Sequence, residues 1–330
     1  MRRLAQCLLV VWAASTINFA LPHMAGGDPL DYLFAGDATN TLTDTSRERL
    51  AADYRIDGSL LEQYGRYWAD LAAGDLGTSL RHARPVTEVL AGRLPWTLAL
   101  VGIGGALSAV IGIGLGVAAS RRRGRRSDVG LVSGVLALDA MPSFWIAMVL
   151  IAVFSVELGW LPSFGAVPLT AAEGSVTWLV EVGRRLVLPV ITLVLATVGG
   201  TFLVARASML STLGAPYVVM AEAKGVGARR VAYHHALRNA LLPVTTHVMV
   251  ELGLLLSGAV VVESVFNYPG LGRLIYEAVI ERDYPLLRGA FLLLTLGVVV
   301  ANLAADLLYP RLDPRTSRSV VARATATAAA

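Results

Sequence analysis

Six stretches of the chain are almost uninterrupted in apolar residues: about 4–24, 95–119, 131–156, 186–206, 241–262 and 287–308. Each can cross a bilayer as a helix, which takes roughly 17–25 residues. Within hydrocarbon a helix satisfies its own backbone polar groups, whereas an open strand or loop does not. The pattern therefore predicts an all-α integral membrane protein with six transmembrane helices. Residues 1–24 imitate a secretory leader, with Arg2 and Arg3 ahead of an apolar run. That run, about Leu4 to Leu21, exceeds the ~7–15 residues of a leader's apolar core. It is read as a retained first helix.

Polar residues gather between these stretches, and their charge alternates. Arg121, Arg122, Arg123, Arg125 and Arg126 crowd the second connection, and Arg206, Lys224, Arg229, Arg230 and Arg238 the fourth. Arg311, Arg315, Arg318 and Arg323 lie in the tail. The third and fifth connections are mixed or acidic, with Glu157, Glu173 and Glu181, then Glu263, Glu277, Glu281 and Asp283. Basic connections stay in the cytoplasm, so both termini and the fourth connection are expected inside and residues 25–94 outside. Composition agrees: 55% of the 330 residues are hydrophobic and only 16% charged. The single cysteine, Cys7, excludes an intrachain disulfide.

The fourth connection is the most informative. Residues 216–243 form a polar island rich in Arg and His between two apolar stretches. Pro216 suits a first helical turn, and Gly225 and Gly227 interrupt the pattern. A second helix-forming run, Ala228 to Arg238, is expected to stop before Pro243. His234 and His235 are helix neighbours about 100° apart, poorly placed to chelate one metal together. Neither HExxH nor a Cys/His cluster accompanies them. A phosphate-binding loop needs Lys followed by Ser or Thr, but Lys224, the only lysine, precedes Gly225. ATP hydrolysis by that device is excluded from this chain. Gly112-Ile113-Gly114 lacks the strand–turn–helix context of a dinucleotide site.

Three acids fall within apolar stretches, where a carboxylate needs water, a partner or a proton. Asp306 is read as a structural helix-end residue. Asp139, three residues before Pro142, and Glu251 are candidates either for the lining of a translocation path or for pairing with an arginine of another subunit. Gly104, Ser108, Gly112 and Gly116 recur every four residues, which permits close helix packing within the chain or at a moving subunit interface.

The island resembles the cytoplasmic coupling loop of ABC-importer permeases, which carries the EAA signature. The likeness is to the dipeptide/oligopeptide/nickel permease family. Ala221, Ala223, Lys224, Gly225, Arg229, Arg230 and Val231 match its A-x-A-K-G and R-R-V, and His235 to Pro243, including Arg238 and Asn239, its H-A-L-R-N-A-L-L-P. Glu222 stands where the family commonly has Arg. The resemblance covers most of the chain. His23 to Pro29 echo H-x-x-P-G-D-P, although Ala25 and Gly26 replace its Pro-Gly. Gly74 to Ser79, Arg84-Pro85-Val86, Arg93 to Leu98 and Met141 to Trp145 match further motifs. So do Val262 to Phe266, Pro269 to Arg273, and Asp306, Leu307, Tyr309, Asp313, Pro314 and Arg315. Glu251 occupies a position where related sequences often have Gln.

The resemblance implies type I ABC-importer permease architecture with a cytoplasmic coupling helix that begins near Tyr217. It implies a first helix over 1–24, an extracytoplasmic loop over 25–94, a permease domain over 95–310 containing the coupling loop 207–240, and a cytoplasmic tail over 311–330. The long first loop favours the dipeptide permease B type. The expected partners are a second permease, two ABC ATPase subunits, an extracytoplasmic solute-binding protein and membrane lipid, with no nucleic acid. The chain itself needs no cofactor or metal, since ATP acts on partner subunits. Cargo is expected to be di- or oligopeptides, delivered across a bacterial cell membrane; nickel or another small solute is the alternative. A secondary transporter would show internal repeats and interrupted spans, and no convincing repeat is present.

Overall fold

The computed structural model describes residues 2–24, 58–168 and 172–312. The Ala25–Pro29 part of the first motif, the Asp313-Pro314-Arg315 motif and most of the tail lie outside these residues, as does the side chain of Asp306. Within them the secondary structure is helical apart from one isolated bridge, Thr78 to Pro85. Three helices are long and apolar enough to cross a membrane, or up to five if each of two bent pairs counts as one span.

The chain divides into two compact units. The first comprises residues 1–97 and 269–299. It contains α1 (Arg2–Met24), α2 (Leu60–Ala73), the start of α3 (Val86–Ser120), α9 (Leu271–Ile280) and most of α10 (Tyr284–Leu312). Helix α2 is set by its ends. Ser59 and Glu62 form a reciprocal capping box, and Gly74 closes the helix at φ 77°. On α1, Phe19 meets Tyr64 and Tyr67 of α2 at centroid distances of 5.2 and 5.6 Å.

Two acids read as loop charges are structural. Asp283 is buried and accepts from Ser79 Oγ at 2.5 Å, from Arg81 N–H at 3.1 Å and from Leu286 N–H at 3.2 Å. The last bond caps the first turn of α10. Glu263 is fully buried near the end of the fifth apolar stretch. Glu277 and Glu281 remain accessible, paired with Arg273 at 2.7 Å and Arg81 at 3.3 Å.

The second unit comprises residues 98–268 and 300–330. It holds the rest of α3, α4 (Arg126–Asp139), α5 (Ser143–Leu150), α6 (Val176–Leu213), α7 (Pro216–Ala223) and α8 (Leu237–Val265). Helix α5 continues as a π-helical stretch, Ile151–Glu157. Helix α8 is entered through a turn at Ala228–Arg230 and a second π-helical stretch, Val231–Ala236.

Two findings differ from the apolar pattern. The third stretch is broken: α4 and the α5 segment meet at 97°. Pro142 lacks an N–H, disfavours helix at Met141 and sits at the N-cap of α5 with ψ 139°. Conversely, the run from Ala228 does not stop before Pro243, which lies inside α8. Neighbouring packing and a π-helical entry hold that helix together past a residue that would end an isolated one.

The small-residue row of α3 packs within the chain. A side-chain carbon on Gly104 would lie 2.6 Å from Leu193, one on Gly112 2.9 Å from Thr201, and one on Gly116 2.7 Å from Ala205, all on α6. Ser108 Oγ accepts from Thr197 on the same helix at 2.9 Å. Close approach of α3 and α6 accounts for the spacing.

Candidate functional site

The polar island folds as a platform of short helices. Helix α7 begins at Pro216, whose missing N–H costs nothing in a first turn. It ends at Gly225, φ 78°, where Val226 N–H reaches Ala221 O at 3.2 Å and Gly225 N–H reaches Glu222 O at 2.8 Å. This is the two-bond helix stop that favours glycine in the left-handed region. No heavy atom lies within 4 Å of a carbon built on Gly225. Its backbone angle, and not a close approach within this chain, requires glycine.

The underside of the platform is apolar. Val218 and Ala221 of α7 join Val231, Ala232, Ala236 and Ala240 in a buried cluster with Val117 of α3 and Met209 of α6. Asn239 Nδ2 donates to Tyr217 Oη at 2.7 Å and ties the two helices together. The other face is open. Tyr217, Val219 and Met220 are exposed, as are Glu222, Ala223, Lys224, Gly225, Arg229, Arg230, Arg238 and Asn239. His235 is half-buried, its ring meeting that of His234 edge-on at 5.5 Å. Of Tyr217, Ala221 to Gly225, Arg229, Arg230, His235, Arg238 and Asn239, only Ala221 is buried. It anchors the platform from below.

An ion pair between a buried carboxylate and a half-buried guanidinium lies in the same unit. Asp128 accepts from Arg206 Nε at 2.9 Å and from Nη2 at 2.8 Å, and also from Gly124 N–H at 3.0 Å. A two-pronged guanidinium–carboxylate contact fixes direction as well as charge. It ties the Arg-rich connection to α6. Sequence reading missed the pair, whose members stand 78 positions apart.

Asp139 and Glu251 lie against consecutive glycines of α6. Carbons built on Gly199 and Gly200 would fall 2.4 Å from Asp139 Oδ1 and 3.7 Å from Glu251 Oε1. Gly199 leaves room for Asp139, and Gly200 for His247, whose Nε2 would lie 3.1 Å from the built carbon. Glu251 accepts from Thr201 Oγ1 at 2.8 Å. His247, one turn earlier on α8, places Nε2 3.4 Å from Glu251 Oε2, close for an ion pair but outside hydrogen-bond geometry. Asp139 is exposed and Glu251 partly buried. Two acids, a histidine and a hydroxyl can attract and orient a cationic group. His247 and Thr201 were not anticipated, although His247 and Glu251 stand at the i,i+4 spacing that puts side chains on one helix face.

Residues 111–318 match the family described as binding-protein-dependent transport system inner membrane component. The chain belongs to this family. It is 36% identical over 315 residues to a Brucella suis biovar 1 (strain 1330) chain named for a peptide transport system permease, covering 96% of this chain and 97% of that one. It is 33% identical over 315 residues to the oligopeptide transport system permease protein AppB of Bacillus subtilis (strain 168), with 95% and 97% covered. Among solved structures, an inward-facing form of the MetNI methionine ABC transporter aligns with TM-score 0.57 at 17% identity, over 68% of this chain and 96% of that one. That likeness is one of fold. The protein is thus a multi-pass, non-catalytic permease component of the inner membrane, in a family whose transport depends on a binding protein.

Proposed function

We propose that the chain is one of two permeases in an ATP-driven importer of di- or oligopeptides. It crosses the bacterial cell membrane six times with both termini in the cytoplasm. Its sister permease completes the path, two ATPase subunits bind the coupling loop, and a solute-binding protein delivers the peptide. The relatives named for peptide transport support the cargo class. The observation that carries the reading is the platform: an apolar underside rooted on α3 and α6, and an exposed face with Tyr217, Val219, Met220 and four basic residues. Such a surface suits a groove in a soluble partner. Asp139 and Glu251, with His247, line the path and attract the peptide's amino terminus.

Gly225→Asp tests the coupling role. Asp is among the residues that tolerate a left-handed backbone, and the space around Gly225 is open. The variant is expected to insert into the membrane at wild-type levels while losing co-purified ATPase and peptide-stimulated ATP turnover. Full retention of the ATPase would refute docking at this face.

A further inference from the structure

The first unit contains a cavity of about 440 Å³ between α1, α2 and α10. That lies within the roughly 300–1,000 Å³ of small-ligand sites. Its walls combine Phe19, Leu71 and Leu292 with Arg66, Tyr67 and Arg288, and Asp70 and Asp75 stand at it as well. Arg288 is the unusual member. Its guanidinium lies over the Phe19 ring at 5.3 Å, and its Nε is shielded from solvent without a hydrogen-bond acceptor. No ion pair joins it to a described carboxylate. A sheltered cation of this kind wants an anion.

The surroundings suit a membrane surface. Phe19, Tyr64, Tyr67 and Trp68 form a chain of ring contacts at 5.2–6.2 Å. Tyr and Trp gather where bilayer meets water. Helix α2 has no buried residue and exposes Leu60 and Leu61, as expected of a helix lying in that boundary. Burial pushes the Tyr67 phenol above its usual range, against weaker pulls from Ser15 and Arg288. Its hydroxyl, near Ser15, is shielded and unbonded, and stays a neutral donor. Asp75, which takes Gly77 N–H at 2.8 Å, is exposed and keeps an oxygen for a second partner.

We propose that this cavity holds the headgroup of a phosphatidylethanolamine molecule, its phosphate on Arg288 and its ammonium toward Asp75. The apolar walls receive the start of the acyl chains. Placement in the outer leaflet rests on the orientation proposed above; lipid retention does not. The two are therefore separable by experiment.

The full-length chain, purified in mild detergent and supplied with phosphatidylethanolamine or phosphatidylglycerol, is weighed intact by native mass spectrometry. Wild type is expected to retain phosphatidylethanolamine in preference to phosphatidylglycerol. Arg288→Gln should weaken retention of both about tenfold. Asp75→Asn, which can still accept from Gly77, should remove only the preference. Leu71→Trp fills the cavity and leaves the arginine in place, so it should also release lipid. Retention unchanged in Arg288→Gln and Leu71→Trp overturns the proposal. So does displacement of lipid by trialanine, the result expected of a peptide site.

Discussion

Glu251 accepts a hydrogen bond from Thr201 and has His247 within 3.4 Å, whereas among the described residues no cation pairs with Asp139. Two acids on neighbouring glycines make the region attractive to a cation. Glu251→Gln keeps the shape and can still accept from Thr201. Uptake of peptides with a free amino terminus should fall about tenfold relative to N-acetylated peptides, a loss of about 1.4 kcal/mol in recognition. Equal losses for both, together with loss of the sister permease on purification, would place Glu251 at a subunit contact instead. Gly225 allows a second check. Gly225→Ala places a side-chain carbon in the left-handed region at about 1–2 kcal/mol. It should weaken ATPase retention less than Gly225→Asp does, and Gly225→Asn should come closest to wild type. Equal effects of Ala and Asn would mean that backbone angle is not what glycine supplies there.

At the scale of elements, the joint between the Arg-rich connection and α6 depends on one two-pronged contact. Asp128→Asn leaves the half-buried Arg206 without its counter-charge. Arg206→Lys keeps the charge but loses the paired geometry. Both variants should lose monodispersity in detergent at lower temperature than wild type, Asp128→Asn by more. Equal melting of all three proteins would show that the pair contributes nothing. Apolar length announced these helices well, but it could not locate their breaks. Residues 131–156 read as one span because, Asp139 apart, the stretch is apolar enough for hydrocarbon, while the 97° bend follows from the backbone of Met141 and Pro142. At Pro243 the same residue type misleads in the opposite direction, because tertiary packing carries α8 through it.

For the whole molecule, the proposed topology predicts that Ser127→Cys and Glu173→Cys, made in a Cys7→Ser background, react with an impermeant maleimide from opposite sides of the membrane. The same sidedness would break the six-span arrangement. The family was legible because its motifs are local, and the platform because Pro216, Gly225 and the basic residues lie within one short run. Ser79 with Asp283, Asp128 with Arg206, and Thr201 with Glu251 were not legible: each pair joins residues 50 to 204 positions apart, and no local pattern announces such a meeting. The continuity across Pro243 has a mechanical consequence. From Arg230 to Glu251 the chain is one unbroken helical rod of about 30 Å, with the exposed platform at its foot and the paired acids near its upper part. Tilting such a rod by about 5° about its foot would carry Glu251 sideways by roughly 2–3 Å, comparable to half a helical pitch. A partner that grips the foot therefore holds a lever whose far arm carries Glu251, the carboxylate proposed to meet the cargo.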